Sequence, residues 1–364
     1  MKLNCEREQI LSPLQAVIGV VERRQTMPIL ANVLLSVRDG RLSVTATDLE
    51  VELVAAVTVS GAESGEITVP GRKLLDIIKA LPDRVEVKLS LEGDKIIVRG
   101  GKSRFTLSTL SATEFPTVDE INPTASFELL QVDLKRLLEK TQFSMAQQDV
   151  RYYLNGMLLE ADGKLLRTVA TDGHRLALCE LELKTPSTLN QVIVPRKGVL
   201  ELSRLVGQEG SVLIEVGSNH IRATIGDIRF TSKLIDGRFP EYGRVIPNKP
   251  PRTVKADRDL LRHALQRTAI LSNEKYRGIK LALRANVLTI MAHNPEQEEA
   301  EEEVEVGYEG DSMEVGFNVN YLLDALGAID GAEVELGLTD SNSSCLVSLP
   351  GGGAARYVVM PMRL

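Results

Sequence analysis

The 364-residue sequence has no tryptophan, few other aromatic residues and only three cysteines. Aromatic residues make up 4% of the chain, so leucine, valine and isoleucine must fill its cores. Cys5, Cys179 and Cys345 are odd in number and far apart, which predicts buried thiols in a reducing compartment and no disulfide framework. No apolar run approaches the roughly 20 residues that span a bilayer, and the N-terminus lacks the apolar core of a signal peptide. We therefore expect a cytoplasmic protein without membrane contact.

The sequence also lacks the motifs of common enzyme and metal sites. It has no glycine-rich phosphate loop and no G-x-S-x-G elbow, and its histidines and cysteines have no metal-ligand spacing. Only Asp172 and His174 could form an acid–base pair, because residues two apart on a strand share a face. Such a pair still requires a nucleophile or a metal. We expect a turn with a binding role here, no cofactor, no metal and no catalytic residue, and we keep an enzyme that uses Asp172 and His174 as a competing hypothesis.

What the sequence does contain is a threefold repeat. Each unit has a helix, an apolar strand, a strand ending in Asp or Asn, a second helix and then strands in which apolar and polar residues alternate. The spacing of the units is regular, because Asp48 and Asp172 are 124 residues apart and Asp172 and Asn294 are 122 residues apart. The repeat predicts an α+β fold of three domains with one topology, two helices on antiparallel sheet each, over residues 1–122, 123–250 and 251–364. The predicted helices cover residues 7–21, 70–81, 132–143, 195–206, 257–271 and 318–329, and the predicted early strands cover 29–37, 45–48, 153–159, 169–172, 279–283 and 291–294.

Charge is distributed unevenly along the chain. The formal net charge is −7, but the six predicted helices with their flanks carry +6, so the remainder carries −13. Basic helices gathered on one surface would contact DNA phosphates without regard to sequence, although ordinary solvated helix faces would give the same pattern. An acidic run over residues 294–303 lies where a strand is expected, and a basic strand surrounds Phe105. These opposite charges suit head-to-tail association at sheet edges.

Several long stretches resemble one family, and together they cover the whole chain. Those stretches are Met27–Asn32, Gln142–Ala146, Asp149–Gly156, Ala170–Leu176, Ile270–Lys275, Asn294–Glu302 and Met360–Leu364. The family is that of the bacterial sliding clamps, the β subunits of DNA polymerase III. The resemblance implies a head-to-tail dimeric ring of six domains and twelve helices. Twelve helices about 10 Å wide, set side by side, leave an opening of roughly 28 Å, which admits duplex DNA.

The resemblance also implies three sets of functional residues. A peptide-binding pocket would be formed by Leu154, Thr171, Gly173, His174, Arg175, Leu176, Pro240, Arg244, Val245, Asn318, Tyr321, Ser344, Val358, Met360, Pro361, Met362 and Arg363. DNA would be contacted by Arg24, Arg72, Gln147, Gln148, Tyr152, Tyr153, Arg196 and Lys197. The dimer interface would use Lys73, Lys95, Lys102, Arg104, Phe105, Leu107, Ile270, Leu271, Glu296, Glu298, Glu299, Glu301 and Glu302. Beside Arg24 the chain departs from the commoner family pattern, because it carries Glu22 and little glycine.

The function implied by the resemblance is that of a processivity factor with no reaction of its own. A ring around duplex DNA would hold a polymerase at high effective concentration near the primer end. The expected partners are a second copy of the chain, double-stranded DNA, replicative and translesion polymerases and a clamp loader. The alternative is a scaffold that binds peptides but does not encircle DNA.

Overall fold

The computed structural model describes residues 1–21, 27–118 and 120–363. All six predicted helices are confirmed, and several end earlier than predicted. Short 3-10 turns follow two of them, at Gln142–Ser144 and Ala269–Leu271. Within the described residues, no helix combines the length and the apolar character needed to cross a bilayer. The helices are α1 (Arg7–Val17), α2 (Gly71–Ala80), α3 (Gln131–Glu139), α4 (Arg196–Leu205), α5 (Arg258–Thr268) and α6 (Val319–Ala328).

The chain divides into two compact units, of which the first comprises Met1–Leu134 and Lys197–Leu234. Its larger sheet has eight antiparallel strands in the order β5-β2-β3-β4-β14-β13-β12-β9, and its smaller sheet has the order β1-β6-β7-β8. The larger sheet comprises β2 (Asn32–Arg38), β3 (Arg41–Thr47), β4 (Val51–Thr58), β5 (Gly65–Pro70), β9 (Ala125–Leu130), β12 (Ser211–Val216), β13 (His220–Ile225) and β14 (Ile228–Lys233). The smaller sheet comprises β1 (Lys2–Glu6), β6 (Glu86–Glu92), β7 (Lys95–Gly100) and β8 (Ser103–Ser108).

The second unit comprises Lys135–Arg196 and Ile235–Leu364. It contains a six-stranded antiparallel sheet in the order β10-β11-β22-β21-β20-β15 and a four-stranded sheet in the order β18-β17-β16-β19. The six-stranded sheet comprises β10 (Gly156–Thr171), β11 (Arg175–Pro195), β15 (Arg252–Asp257), β20 (Glu333–Leu338), β21 (Cys345–Ser348) and β22 (Ala355–Val359). The four-stranded sheet comprises β16 (Gly278–Arg284), β17 (Val287–His293), β18 (Glu299–Glu305) and β19 (Met313–Asn318).

Strands of the middle repeat belong to both larger sheets. In the first unit β14 pairs with β4 of the first repeat, with Phe230 opposite Leu53. In the second unit β11 pairs with β22 of the third repeat, with Leu176 opposite Val358. The repeats therefore share continuous sheets, and this explains why three sequence repeats give two compact units.

The cores follow from the alternation seen in the sequence. In β12, Val212, Ile214 and Val216 are buried while the residues between them are less so, because successive side chains of a strand point to opposite faces. Leucine, isoleucine and valine dominate the buried set, as the scarcity of aromatic residues requires. All three cysteines are free and buried, as predicted.

Three of the predicted strands differ from the structure. The segment predicted as a strand over residues 29–37 begins with a 3-10 turn, Pro28–Ala31, and only then becomes β2; the fixed φ of Pro28 at the first position favours that turn. The segment predicted as a strand over 153–159 likewise begins in a 3-10 turn, Tyr152–Leu154, and becomes strand only at Gly156. Its remainder and most of the strand predicted over 169–172 are parts of the single strand β10, whose register against β11 shifts twice. Bulges of this kind bend a long strand, and sequence alternation is lost there.

Candidate functional site

The second unit contains an apolar cleft with a volume of about 210 Å³ beside the hairpin of β10 and β11. Its walls come from the turn that joins these two strands, from the end of β22 and from the segment between residues 235 and 251, and many of the side chains are aliphatic. Such a concave apolar surface with a few fixed polar groups is typical of ligand sites. The lining residues are Arg151, Tyr153, Leu154, Thr171, Gly173, Arg175, Leu176, Pro240, Glu241, Tyr242, Val245, Val358 and Met360.

The turn between β10 and β11 is held by Asp172. Its Oδ1 accepts hydrogen bonds from the backbone N–H of His174 at 2.9 Å and of Arg175 at 3.0 Å, and the Thr171 hydroxyl accepts one from the Gly173 N–H at 3.1 Å. The Asp172 carboxylate therefore binds the backbone of the turn, and no bond joins it to the His174 ring. The turn predicted here is confirmed, and the geometry does not form the acid–base pair of the competing enzyme hypothesis.

Arg175 is the most highly connected side chain of the cleft. Its Nε donates to Asp172 Oδ2 at 3.1 Å and its Nη2 donates to the Phe143 carbonyl at 2.7 Å, while Nη1 bonds Asp324 on α6. The guanidinium also lies over the Tyr321 ring, 4.7 Å from the ring centre. Two carboxylates neutralise this charge, so Arg175 acts as a structural support of the wall.

A second arginine closes the other side of the turn. Arg151 bonds both oxygens of Asp149, at 3.0 and 2.9 Å, and donates to the Asp172 carbonyl at 3.2 Å. These hydrogen bonds lower the pKa of Asp149 to about 2. Gly173 has a φ of +89°, and a Cβ there would lie 3.0 Å from the Arg151 guanidinium. Glycine is therefore the residue that fits this position without strain.

The cleft includes nine of the residues predicted for a peptide pocket: Leu154, Thr171, Gly173, Arg175, Leu176, Pro240, Val245, Val358 and Met360. The other eight do not line it: His174, Arg244, Asn318, Tyr321, Ser344, Pro361, Met362 and Arg363. Several of those eight are tied to the lining residues or their neighbours. The His174 carbonyl accepts from the Met360 N–H at 2.9 Å, and the Ser344 hydroxyl donates to the Val245 carbonyl at 3.3 Å.

Sequence reasoning missed four lining residues. Tyr153 was predicted to contact DNA, but its half-buried ring lines the cleft and packs against the buried cluster around Leu158 and Phe239. Arg151, Glu241 and Tyr242 were not predicted. The one sequence indication for Tyr242 and Glu241 is that they fall between the predicted residues 240 and 244.

The residues predicted to contact DNA lie in different settings. Arg24 falls outside the described residues, as does Glu22. In the first unit, Arg72 Nη2 donates to the Val21 carbonyl at 2.6 Å, and Lys197 forms an ion pair with the buried Asp48 carboxylate. In the second unit, Arg196 Nη1 donates to the Met145 carbonyl at 3.2 Å.

An exposed loop in the second unit carries the remaining predicted DNA contacts. Gln147 and Gln148 are exposed, and the Tyr152 side chain is 58% exposed. Asn155 braces the loop, because its side chain accepts from the Asp149 N–H at 2.9 Å and donates to the Asp149 carbonyl at 2.8 Å. The loop therefore presents Tyr152 to solvent from a fixed backbone.

The predicted dimer residues lie on two edge strands and on the elements beside them. In the first unit β8 is the last strand of its sheet, with Phe105 and Leu107 half-buried and with Lys95, Lys102 and Arg104 exposed; Lys73 is exposed on α2. In the second unit β18 is likewise an edge strand, as predicted, and Glu296, Glu298, Glu299 and Glu301 are exposed. Ile270 is 74% exposed and Leu271 is half-buried. Glu302 differs from these acids, because it bonds Arg267 of the same chain.

No cluster of His, Cys, Asp and Glu side chains in the described residues could hold a metal ion. Two tyrosines, Tyr242 in the cleft and Tyr321 beside Arg175, have raised pKa values. Burial, together with the hydrogen bond to Glu160, raises the pKa of Tyr242 to about 12, and burial raises the pKa of Tyr321. The Tyr242 phenol is therefore protonated near pH 7 and donates its hydrogen bond to Glu160.

The chain matches three family models of the DNA polymerase III beta subunit: the N-terminal domain over residues 1–119, the central domain over 128–241 and the C-terminal domain over 243–363. It is 58% identical to the beta sliding clamp of Pseudomonas aeruginosa and 54% identical to that of Escherichia coli K12, with all of each chain covered.

Solved structures give the same result. The crystal structure of the DNA polymerase III subunit beta from Pseudomonas aeruginosa matches with a TM-score of 0.98 at 57% identity, and a sliding clamp from Bartonella birtlesii bound to griselimycin matches with a TM-score of 0.96 at 37% identity. Both matches cover all of this chain and all of the other. With three successive domain matches and relatives of this similarity, the chain belongs to the DNA polymerase III beta subunit family, the non-catalytic sliding clamps of DNA replication.

Proposed function

We propose that two copies of the chain close head to tail into a ring around duplex DNA and that the apolar cleft tethers polymerases to it. The function of a DNA sliding clamp follows from the family. The observation that carries the proposal is the full-length match to three successive clamp domains. We place the domains at residues 1–122, 123–250 and 251–364, close to the matched ranges, and the protein in the cytoplasm.

The dimer contact is proposed between edge strands of opposite charge. The basic edge β8 of one copy, centred on Phe105 and Leu107, would meet the acidic edge β18 of the other, with Ile270 and Leu271 completing an apolar centre. An unpaired edge offers a row of free backbone N–H and C=O groups to a partner strand. Complementary charge around such a contact fixes its register and speeds association more than it adds affinity.

The dimer contact is tested by the mass of the protein in solution. A chain carrying both Ile270→Ala and Leu271→Ala should be monomeric by light scattering, while the wild type has the mass of two chains. Leu260→Ala is the matched control, because Leu260 is also exposed, at 62%, but lies on α5 outside the proposed contact. An unchanged mass in the double variant would contradict the proposed interface.

The DNA contact is proposed to use Arg72, Gln147, Gln148, Tyr152, Arg196 and Lys197, with Arg24 from the family resemblance. Contacts to phosphates fix position without reading sequence, as a sliding ring requires. Tyr152 has the exposed aromatic face on which a base of single-stranded template could stack. Tyr153 is reassigned to the cleft, because its ring packs inward.

The cleft is proposed to bind short peptide segments of replicative and translesion polymerases and of the clamp loader. Aliphatic walls with the flexible Met360 side chain suit several related ligands. Relatives from Pseudomonas aeruginosa and Bartonella birtlesii have been solved bound to griselimycin. We propose that griselimycin binds this chain in the apolar cleft, so that it can serve as a probe of the cleft.

The encircling function is tested by how DNA ends affect retention of the protein. After loading, the protein should stay on circular duplex DNA in high salt and should leave linear DNA through its ends. High salt weakens phosphate contacts steeply, so retention on circles alone indicates topological linkage. Equal loss from circular and linear DNA would exclude encirclement and favour the alternative, a peptide-binding scaffold that does not enclose DNA.

A further inference from the structure

One wall of the cleft is formed by a segment that belongs to no sheet. Residues 238–247, the wall segment, contain a single 3-10 turn, Tyr242–Arg244, and contribute Pro240, Glu241, Tyr242 and Val245 to the lining. The backbone hydrogen bonds of this turn stay within the segment, from Arg244 N–H to Glu241 at 3.2 Å and from Val245 N–H to Tyr242 at 3.1 Å. The segment therefore needs contacts from outside itself to hold its position.

Packing and hydrogen bonds attach the wall segment to the rest of the unit, and the side chains of Tyr242 and Ile246 are partly buried against the cluster that contains Leu158 and Val358. At its start Phe239 is 2% exposed in a cluster with Leu158 and Val358, and near its end the Val245 carbonyl accepts from Ser344. Between these points the Tyr242 hydroxyl donates to Glu160 Oε1 on β10. Among the described residues, this is the side-chain hydrogen bond that joins the middle of the segment to a strand.

The acceptor of this bond is itself held in place. Glu160 Oε2 accepts from Gln191 Nε2 at 3.0 Å, and Glu160 Oε1 lies 3.4 Å from Arg167 Nη1. Arg167 Nε donates to Glu180 at 2.7 Å, and the other oxygen of Glu180 pairs with Arg356 at 2.8 Å. The network thus spans β10, β11 and β22, and it presents a fixed carboxylate oxygen to the tyrosine.

Open space lies on both sides of Tyr242. One side faces the cleft, and the other faces a notch of about 430 Å³ that is also lined by Arg167, Glu180, Ile246 and Arg356. An empty space supplies no partner atoms, so the packing of Tyr242 against the buried cluster around Leu158 is incomplete on these two sides. The hydrogen bond from Tyr242 to Glu160 therefore contributes more to holding the wall segment in place than it would in a fully packed wall.

We infer that Tyr242 is a positioning residue of the cleft: its hydrogen bond to Glu160 holds the wall segment against bound ligand and thereby sets the cleft's affinity. The inference rests on the proposed function of the cleft as a ligand site. It assigns a role to Glu160, which does not line the cleft.

Four variants test this role with griselimycin as the probe in calorimetry. Tyr242→Phe removes one hydroxyl and should weaken binding about fivefold to tenfold, the value of one hydrogen bond. Glu160→Ala should weaken binding by a similar factor, and combining it with Tyr242→Phe should add little, since both changes remove the same interaction. Glu160→Gln keeps a carbonyl oxygen as acceptor and should restore affinity to within about twofold of wild type. A residue that mattered only for general stability would not show this rescue.

Tyr308→Phe is the matched control, because the Tyr308 hydroxyl also donates to a fixed oxygen, the Asp311 carbonyl at 2.7 Å, but lies outside the cleft. It should leave affinity unchanged. Hydrogen exchange gives a second measurement that needs no ligand: the amide of Val245 should exchange faster in Tyr242→Phe than in wild type.

The results distinguish the positioning role of Tyr242 from the ligand-binding function of the cleft. Wild-type protein that does not bind griselimycin would refute the proposed function of the cleft. Wild-type protein that binds, with unchanged affinity and unchanged Val245 exchange in Tyr242→Phe, would overturn the positioning role alone.

Discussion

Replacing Gly173 with alanine tests how the turn between β10 and β11 shapes the cleft. Gly173 has a φ of +89°, and a Cβ there would lie 3.0 Å from two nitrogens of Arg151. Gly163, on β10, has a φ of +60° with no atom within 4 Å of its Cβ position, which makes it a matched control. A left-handed backbone costs an alanine about 1–2 kcal/mol in either place. Only Gly173→Ala must also displace the arginine.

We expect Gly163→Ala to lower the melting temperature by about 2–8 °C, because 1 kcal/mol corresponds to about 2–4 °C for a folding unit of this size. Gly173→Ala should lower it by at least as much, because it also displaces Arg151. Gly173→Ala alone should weaken griselimycin binding, measured by calorimetry, since Arg151 lines the cleft. It should also raise the pKa of Asp149, measured by NMR titration, because the bonds from Arg151 hold that pKa near 2. Equal griselimycin affinity in both variants, with an unchanged pKa of Asp149, would show that the turn does not shape the cleft through Arg151.

Three further predictions concern the loop, its acid and the cleft. Tyr152→Ala should weaken binding of a single-stranded oligonucleotide about fivefold or more, since stacking one base on an aromatic ring contributes about 1–3 kcal/mol. Tyr276→Ala, at an equally exposed tyrosine, is the control. Equal loss of binding in the two variants would contradict a DNA contact at Tyr152. Arg151→Ala should return the pKa of Asp149 toward its ordinary value of 3.8. In the wild type, the ionised Asp149 carboxylate contributes its full stabilisation above pH 3.8, and this contribution is lost as the pH falls through about 2. A pKa of Asp149 still near 2 by NMR in the variant would argue against Arg151 as the cause. Met360→Ala should weaken griselimycin binding about tenfold, because apolar contact area is lost; unchanged affinity would place the ligand elsewhere.

Local patterns in the sequence predicted the elements of the fold well. The helices and the acidic edge strand β18 follow from periodicity and repeat spacing. Pairing between repeats was not predictable in this way. The partners β4 and β14 lie far apart in sequence, and alternation within a strand does not identify which strand it pairs with.

The same limit explains the errors at the cleft. Arg175 and Leu176 were found from the motif that contains them, whereas Tyr242 acts through Glu160, 82 residues away. The position of Glu160 depends on the bulge beside it in β10, and residue spacing along the sequence does not predict a hydrogen bond between residues so far apart. Tyr153 was assigned to DNA beside Tyr152, but neighbouring residues of a 3-10 turn point in different directions, so one ring faces solvent and the other packs inward.

The most direct test of the central claim is the outline of the protein in solution, obtained by electron microscopy or small-angle scattering together with its mass. We expect a particle of two chains with a central hole of roughly 28 Å, the value for twelve helices of about 10 Å around a circle. A single chain, or a two-chain particle with no hole wide enough for duplex DNA, would contradict it.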